Sequence, residues 1–272
     1  MACRVFCLLL LTAHAAFCAF ERTSLGGRSA GMGGTSVADP RNVWAAFSNP
    51  GSLASVEQRF FSVSYSPQPF GLKELARASF SFVEPMSFGV FSLSGSRFGF
   101  ELYREVTASI SFSQRFADQF QIGVTANYYS LAIENYGSAA TVGLDVGMLV
   151  NIAEDVRWGV AAVNLTAPTI GAAKERLPQV FLVGVDYNPI SEATISAEIE
   201  KDVRYPTELH VGVEYTMFEV LSVRGGVSSE PSTLNTGVGI HYSVFQLDYA
   251  LSEHPDLGIS HHFSLSLSLG SL

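Results

Sequence analysis

The sequence predicts an all-β protein, a transmembrane antiparallel up-and-down β-barrel of about 14 strands with an N-terminal plug, or hatch, segment inside its lumen. Three observations predict it. Stretches that alternate apolar with small or polar residues recur from residue 59 onward, the connections between them alternate tight and longer, and their apolar faces carry no charge. The clearest stretch is 141–151, where Val142, Leu144, Val146, Met148 and Val150 share one face and Thr141, Gly143, Asp145 and Gly147 the other. A period of two marks a strand whose faces meet different surroundings.

Composition agrees with this. The 272 residues are 47% hydrophobic and 15% charged, yet after the opening segment no run reaches the roughly 18 apolar residues of a spanning helix. A formal charge of −9 offers no basic surface for nucleic acid. All 3 cysteines, Cys3, Cys7 and Cys18, lie in the opening segment. The remainder has no thiol for a disulfide or a soft metal, which suits passage through an oxidising periplasm.

Residues 1–19 have the outline of a secretory signal: Arg4, an apolar run at 5–11, then small residues. Cleavage is expected after Ala19 or, alternatively, after Ala15 of Ala13-His14-Ala15. Lipidation of Cys18 competes with these, but bulky Phe17 precedes it. Residues 20–58, rich in Gly, Ser and Ala without a sustained period, form the plug segment, and 59–272 the barrel. Strands are expected at 59–66, 75–84, 86–95, 103–115, 118–132, 139–151, 155–165, 179–188, 192–201, 206–216, 219–228, 233–242, 244–252 and 260–270. Most have the length a tilted strand needs to cross a bilayer.

Connections after even-numbered strands are tight, at Glu84-Pro85, Phe116-Ala117, Ala153-Glu154, Pro189-Ile190, Met217-Phe218 and Ser243. Those after odd-numbered strands are expected at 67–74, 96–102, 134–138, 166–178 and 253–259, with two shorter exceptions. Outer-membrane barrels place the short turns on the periplasmic side. Phe116, Phe120, Trp158, Tyr187, Phe218, Tyr242 and Phe245 gather where those turns meet the membrane interface, a zone that favours amphipathic rings. A soluble β-sandwich also alternates and carries aromatic residues at strand ends. It accounts less well for the signal, the cysteine placement and the loop parity.

The outward set includes Phe80, Phe82, Ile110, Phe112, Ile195, Ile199, Leu209, Val211, Val213, Leu247, Leu265 and Leu267. The inward set is Ser, Thr and Gly with a few charges: Asp145, Arg157, Asp186, Glu198, Glu200, His210, Glu214, Arg224, His241 and Asp248. Enclosed charges must be paired or wet. Arg224 is therefore expected to meet Asp248 across Gly237 and Gly239, with Glu214 nearby; independent hydrated charges are the alternative. Eight strands already enclose a side-chain-filled interior, so 14 leave room to be occupied. The segment 20–58 is the available occupant, and its glycines let its backbone approach the wall.

That segment reads Gly26-Gly27-Arg28-Ser29-Ala30-Gly31-Met32-Gly33-Gly34-Thr35, then Trp44 to Phe47, then Asn49-Pro50-Gly51-Ser52-Leu53-Ala54. It resembles the N-terminal signature of the FadL-like outer-membrane barrel superfamily, and more closely its PorV/PorQ branch. Trp158 to Leu165, Leu177-Pro178, Asp248-Tyr249-Ala250 and the last strand from His261 extend the resemblance over nearly the whole mature chain. It implies a 14-stranded barrel in the bacterial cell outer membrane, with Gly31, Met32, Gly33, Gly34, Asn49, Pro50 and Gly51 as hatch elements; Arg28, Trp44 and Phe47 are the candidates for the hatch surface. In the superfamily's transporters the hatch moves so that fatty acids or other apolar molecules leave sideways through the wall, whereas PorV-like members serve type IX secretion. Long outer capture loops and a terminal aromatic residue have no counterpart here.

Other signals carry less. Gly31-Met32-Gly33-Gly34 follows no strand and is not a dinucleotide fingerprint. Asn164-Leu165-Thr166 fits a glycosylation triplet by chance. His254, His261 and His262 lack an acidic or thiol partner at ligand spacing, so no metal site is expected. No serine, histidine and acid stand out as a hydrolytic set, and neither an enzyme activity nor a cofactor is expected. Two functions follow: a hatch-plugged channel for hydrophobic or amphipathic small molecules, or an outer-membrane scaffold that binds secretion-system proteins through its outer loops. Membrane lipids surround the barrel in either case.

Overall fold

A computed structural model describes residues 19–117 and 119–270. Residues 1–18 of the expected signal, 1–19, lie outside the described residues. The strands are β1 (Phe60–Ser66), β2 (Arg77–Met86), β3 (Gly89–Gly99), β4 (Tyr103–Phe116), β5 (Phe120–Ile133), β6 (Gly137–Asn151), β7 (Val156–Val163), β8 (Thr169–Ile170), β9 (Glu175–Arg176), β10 (Val180–Ile190), β11 (Ala193–Asp202), β12 (Glu208–Met217), β13 (Leu221–Ser229), β14 (Ser232–Tyr242), β15 (Phe245–His254) and β16 (Gly258–Ser268). All but the ribbon β8–β9 pair with their neighbours into one closed antiparallel barrel, sealed by β1 on β16. The 14 barrel strands coincide with the 14 expected, within a few residues at each end.

Alternation is what closes the sheet this way round. Along β5, Ile122, Val124 and Tyr128 are exposed outside while Gln121, Gly123, Thr125, Asn127 and Tyr129 are buried inside. The outer wall is a belt of Phe80, Leu93, Ile110, Ile199, Val211, Val213 and Leu247, all exposed. Water disfavours such a continuous apolar surface and hydrocarbon accepts it, so the barrel stands in a membrane, in the manner of bacterial outer-membrane proteins. Phe116, Phe120, Tyr187, Phe218, Tyr242 and Phe245 are exposed at the short-turn end, where Phe88 joins them.

The connections differ from expectation. Only 67–76 and 164–179 are long; the others at that end, 100–102, 134–136, 203–207, 230–231 and 255–257, are two to five residues. The residues read as loop, such as 96–99, instead continue the ladder: Ser96 pairs with Thr107 and Gly99 with Arg104. Tilted strands keep pairing after they leave the hydrocarbon, and there the apolar alternation that betrays a strand stops, as at exposed Arg97. The two long connections share one end, which the short-turn rule makes the outer one.

Candidate functional site

Residues 19–58 run along the inner wall and most are buried, with Glu21, Thr23, Arg41, Glu57 and Gln58 exposed. The short helix α1 (Gly27–Gly31) packs on β13 to β16, and a 3-10 turn (Pro50–Ser55) packs on β3 to β7. Its three apolar contacts are mixed clusters: Val37 with Leu149, Val180 and Leu182; Leu53 and Val56 with Val83 and Val90; Phe20 with Tyr129, Ile170 and Leu177.

A belt of inward glycines lets backbone meet backbone. A Cβ added at Gly123 would strike Pro50, at Gly147 Asn49, at Gly159 Val37, at Gly212 Met32 and at Gly226 Gly33. Gly31 lies against Gly237, a Cβ there standing 3.1 Å from the Gly237 Cα. Gly33 and Gly34, with φ of 71° and 98°, make the turn that carries the chain on to Ser36, a conformation open to glycine at little cost. Asn49 is fully buried: its Nδ2 donates to the Met148 carbonyl at 2.9 Å and to the Val37 carbonyl at 2.6 Å, and its Oδ1 caps the Pro50–Ser55 turn by accepting from Gly51 N. This is why an Asn-Pro-Gly sequence suits the position: side-chain cap, fixed φ, and no Cβ against the wall. Trp44 is buried over Gly26, and Met32 is 1% exposed. Of Arg28, Trp44 and Phe47, expected on the segment's surface, Phe47 borders free space.

Charge fixes the lower part of the segment. Glu214 of β12 accepts Arg28 Nε at 3.0 Å, Arg41 Nη2 at 2.8 Å and Arg224 Nε at 2.6 Å, and is 4% exposed. Arg28 also pairs with Asp39. Arg224 Nη1 reaches Asp248 at 2.7 Å, directly over Gly239, where a Cβ would displace both. Higher up, Arg22 pairs with Glu200, Glu198 Oε2 accepts the backbone N–H groups of Ser36 and Val37 at 2.6 and 2.8 Å, and His210 Nδ1 lies 2.7 Å from the Gly33 carbonyl. Arg22 and Arg41 escaped sequence reasoning because their wall partners, Glu200 and Glu214, lie more than a hundred residues away with no shared motif, and Asp39 because nothing periodic in the segment marks its pairing with Arg28; the inward parity of Glu198 and Glu214 was the available signal. Arg157 bonds Asn188 and, with Asp186 and Arg41, lines a polar recess of about 400 Å³ at the inner end.

A smaller cavity of about 70 Å³ lies in the outer half, bordered by Phe20, Arg22, Leu25, Phe47, Arg77, Tyr129 and Val180. Asp145 closes its floor by accepting Asn127 Nδ2 and Asn164 N, both at 2.7 Å. Above it the connection 164–179 folds back over the mouth. Asn164, 2% exposed, accepts Tyr129 OH at 2.9 Å and donates to the Pro178 carbonyl, so its glycosylation triplet is inaccessible in this state. Among the described residues no group of His, Cys, Asp and Glu is arranged to hold a metal.

No family model matches the sequence, and no curated protein matches it. Solved structures do match in fold. The Pseudomonas putida toluene transporter TodX superposes with a TM-score of 0.73 at 12% identity, over 92% of this chain and 99% of that one. The Ralstonia pickettii toluene transporter TbuX gives 0.67 at 14% identity, over 90% and 98%. A Pseudomonas aeruginosa FadL homologue gives 0.64 at 13% identity, over 90% and 98%. The chain therefore has the fold of these proteins.

Proposed function

We propose that the protein is an outer-membrane channel for hydrophobic or amphipathic small molecules, closed in the observed state by residues 20–58 acting as the plug. The observation that carries this reading is the lumen occupied by this segment, which leaves a mouth cavity of about 70 Å³ and a polar recess of about 400 Å³ at the inner end. An apolar cavity of about 150 Å³ holds one benzene ring. The mouth must therefore expand before a solute of that size enters. From Arg22 onward the segment is tied by buried ion pairs, whereas the mouth cluster of Phe20, Tyr129, Ile170 and Leu177 above it is apolar, so opening begins at the mouth. The toluene transporters that share the fold support the solute class. The N-terminal motifs support membership in the FadL-like superfamily and its PorV/PorQ branch, a signal at 1–19, a non-enzymatic role and a place in the bacterial outer membrane.

The test is uptake of labelled toluene by cells of a host lacking such a channel. Faster uptake than in vector-only cells, lost when 20–58 is cross-linked to the wall, is expected; equal uptake in all three would end the channel reading. A scaffold that binds secretion-system proteins draws on one observation, the exposed ribbon tip 171–174. Partners that co-purify only when that tip is intact would favour it.

A further inference from the structure

The wall has a notch beside the mouth. β6 pairs with β5 along its whole length, but its other edge pairs with β7 only from Val146 to Asn151. One more bond, Leu165 N to the Leu144 carbonyl at 2.8 Å, extends that edge outward. Since hydrogen-bonding direction alternates along a strand, the N–H and C=O groups of Val142, Ala140 and Ser138 point into the notch. All three residues are exposed there, and none has a backbone partner on that side among the described residues.

The chain that leaves the wall at this point does so under strain. Asn164 and Ala167 have φ of 54° and 47°, a region that costs a residue with a Cβ. The ribbon then places Ile170 and Leu177, 3% and 2% exposed, against Phe20, Tyr129, Leu131 and Ala139. Asn164 holds both ends of it, through Asp145 on the wall side and Pro178 on the other.

Continuing from the Leu165–Leu144 bond, Ala167 would face Val142 and Thr169 would face Ala140. Pro168, which has no N–H, would fall between them, where the bond to β6 requires none. The free edge thus matches the segment that lies folded over the mouth. We infer that Ile170 and Leu177 occupy, from the protein's own ribbon, an apolar site for a small aliphatic or aromatic solute, and that the displaced ribbon moves aside by zipping 165–169 onto the free edge of β6. The assignment of a solute to this site rests on the channel reading; the zipper itself does not.

The experiment is amide hydrogen exchange of the full chain in detergent, with toluene uptake measured in parallel. Trimming the ribbon's anchors in Ile170→Ala/Leu177→Ala should slow exchange at Val142 and Ala140 at least tenfold relative to wild type, and added toluene should do the same to the wild type. Val142→Pro removes a donor that the observed state leaves unused, so the folded-in ribbon should be unchanged while the protection gained at Ala140 disappears. Edge amides that stay as fast as in wild type while the ribbon amides speed up would show a ribbon that only frays, and would overturn the inference. Protected edge amides without toluene uptake would uphold the zipper and remove the channel; uptake without edge protection would do the reverse.

Discussion

Replacing Glu214 by Gln removes one negative charge from beneath three guanidinium groups. Arg41 is 54% exposed at its side chain and turns to water at little cost. Arg28 retains Asp39 and Arg224 retains Asp248, but each loses a buried contact at 3.0 and 2.6 Å. Breaking a buried pair by removing one partner costs about 3–5 kcal/mol, and the retained partners place this case near about 3 kcal/mol. That loss falls on the contact between segment and wall, so local opening of the segment should become roughly 150-fold more frequent. Exchange of the Met32 and Gly34 amides, which bond Arg28 and Ser29 carbonyls inside the segment, reads this directly. The Thr125 amide in β5 serves as the barrel reference and should not change. Unchanged exchange at Met32 and Gly34 would refute the claim that these pairs hold the segment, and equal acceleration at Thr125 would show that they hold the barrel instead.

Gly147→Val drives a branched side chain into Asn49 and Pro50 and strips Asn49 of its bonds to Met148 and Val37; a loss of about 3 kcal/mol is expected, seen as a lower unfolding temperature with heat-modifiable migration retained. Val213→Arg, on the lipid face at the middle of β12, should destabilise the barrel by about 2–4 kcal/mol in a folding titration in bilayers, whereas Tyr136→Arg at an exposed hairpin tip should change nothing. Phe20→Ala removes the ring stacked edge-on at 5.0 Å from Tyr129 and should loosen the mouth by about 3 kcal/mol, raising protease cleavage within 164–179 while leaving the Met32 amide protected.

The strands were legible because lipid and lumen impose opposite chemistry on alternate residues, as at Ile122 and Thr125. Their outer ends were not, since Ser96 to Gly99 pair beyond the hydrocarbon where nothing selects an apolar face. The Arg224–Asp248 pair was legible through register: both face inward on β13 and β15, with Gly239 of the intervening β14 leaving the space between them. Arg28 with Glu214 and Arg22 with Glu200 were not, because a segment without periodicity gives no register against a wall. The inward fold of 164–179 was equally hidden; Ile170 and Leu177 read as loop residues until Tyr129 is seen beneath them.

Ion conductance across planar bilayers tests the closed lumen most directly, comparing the full barrel with one lacking residues 20–58. The filled lumen predicts a silent full-length protein and discrete conducting steps from the deleted one, whose polar inner face would then be lined with water. Equal conductance from the two would contradict the account.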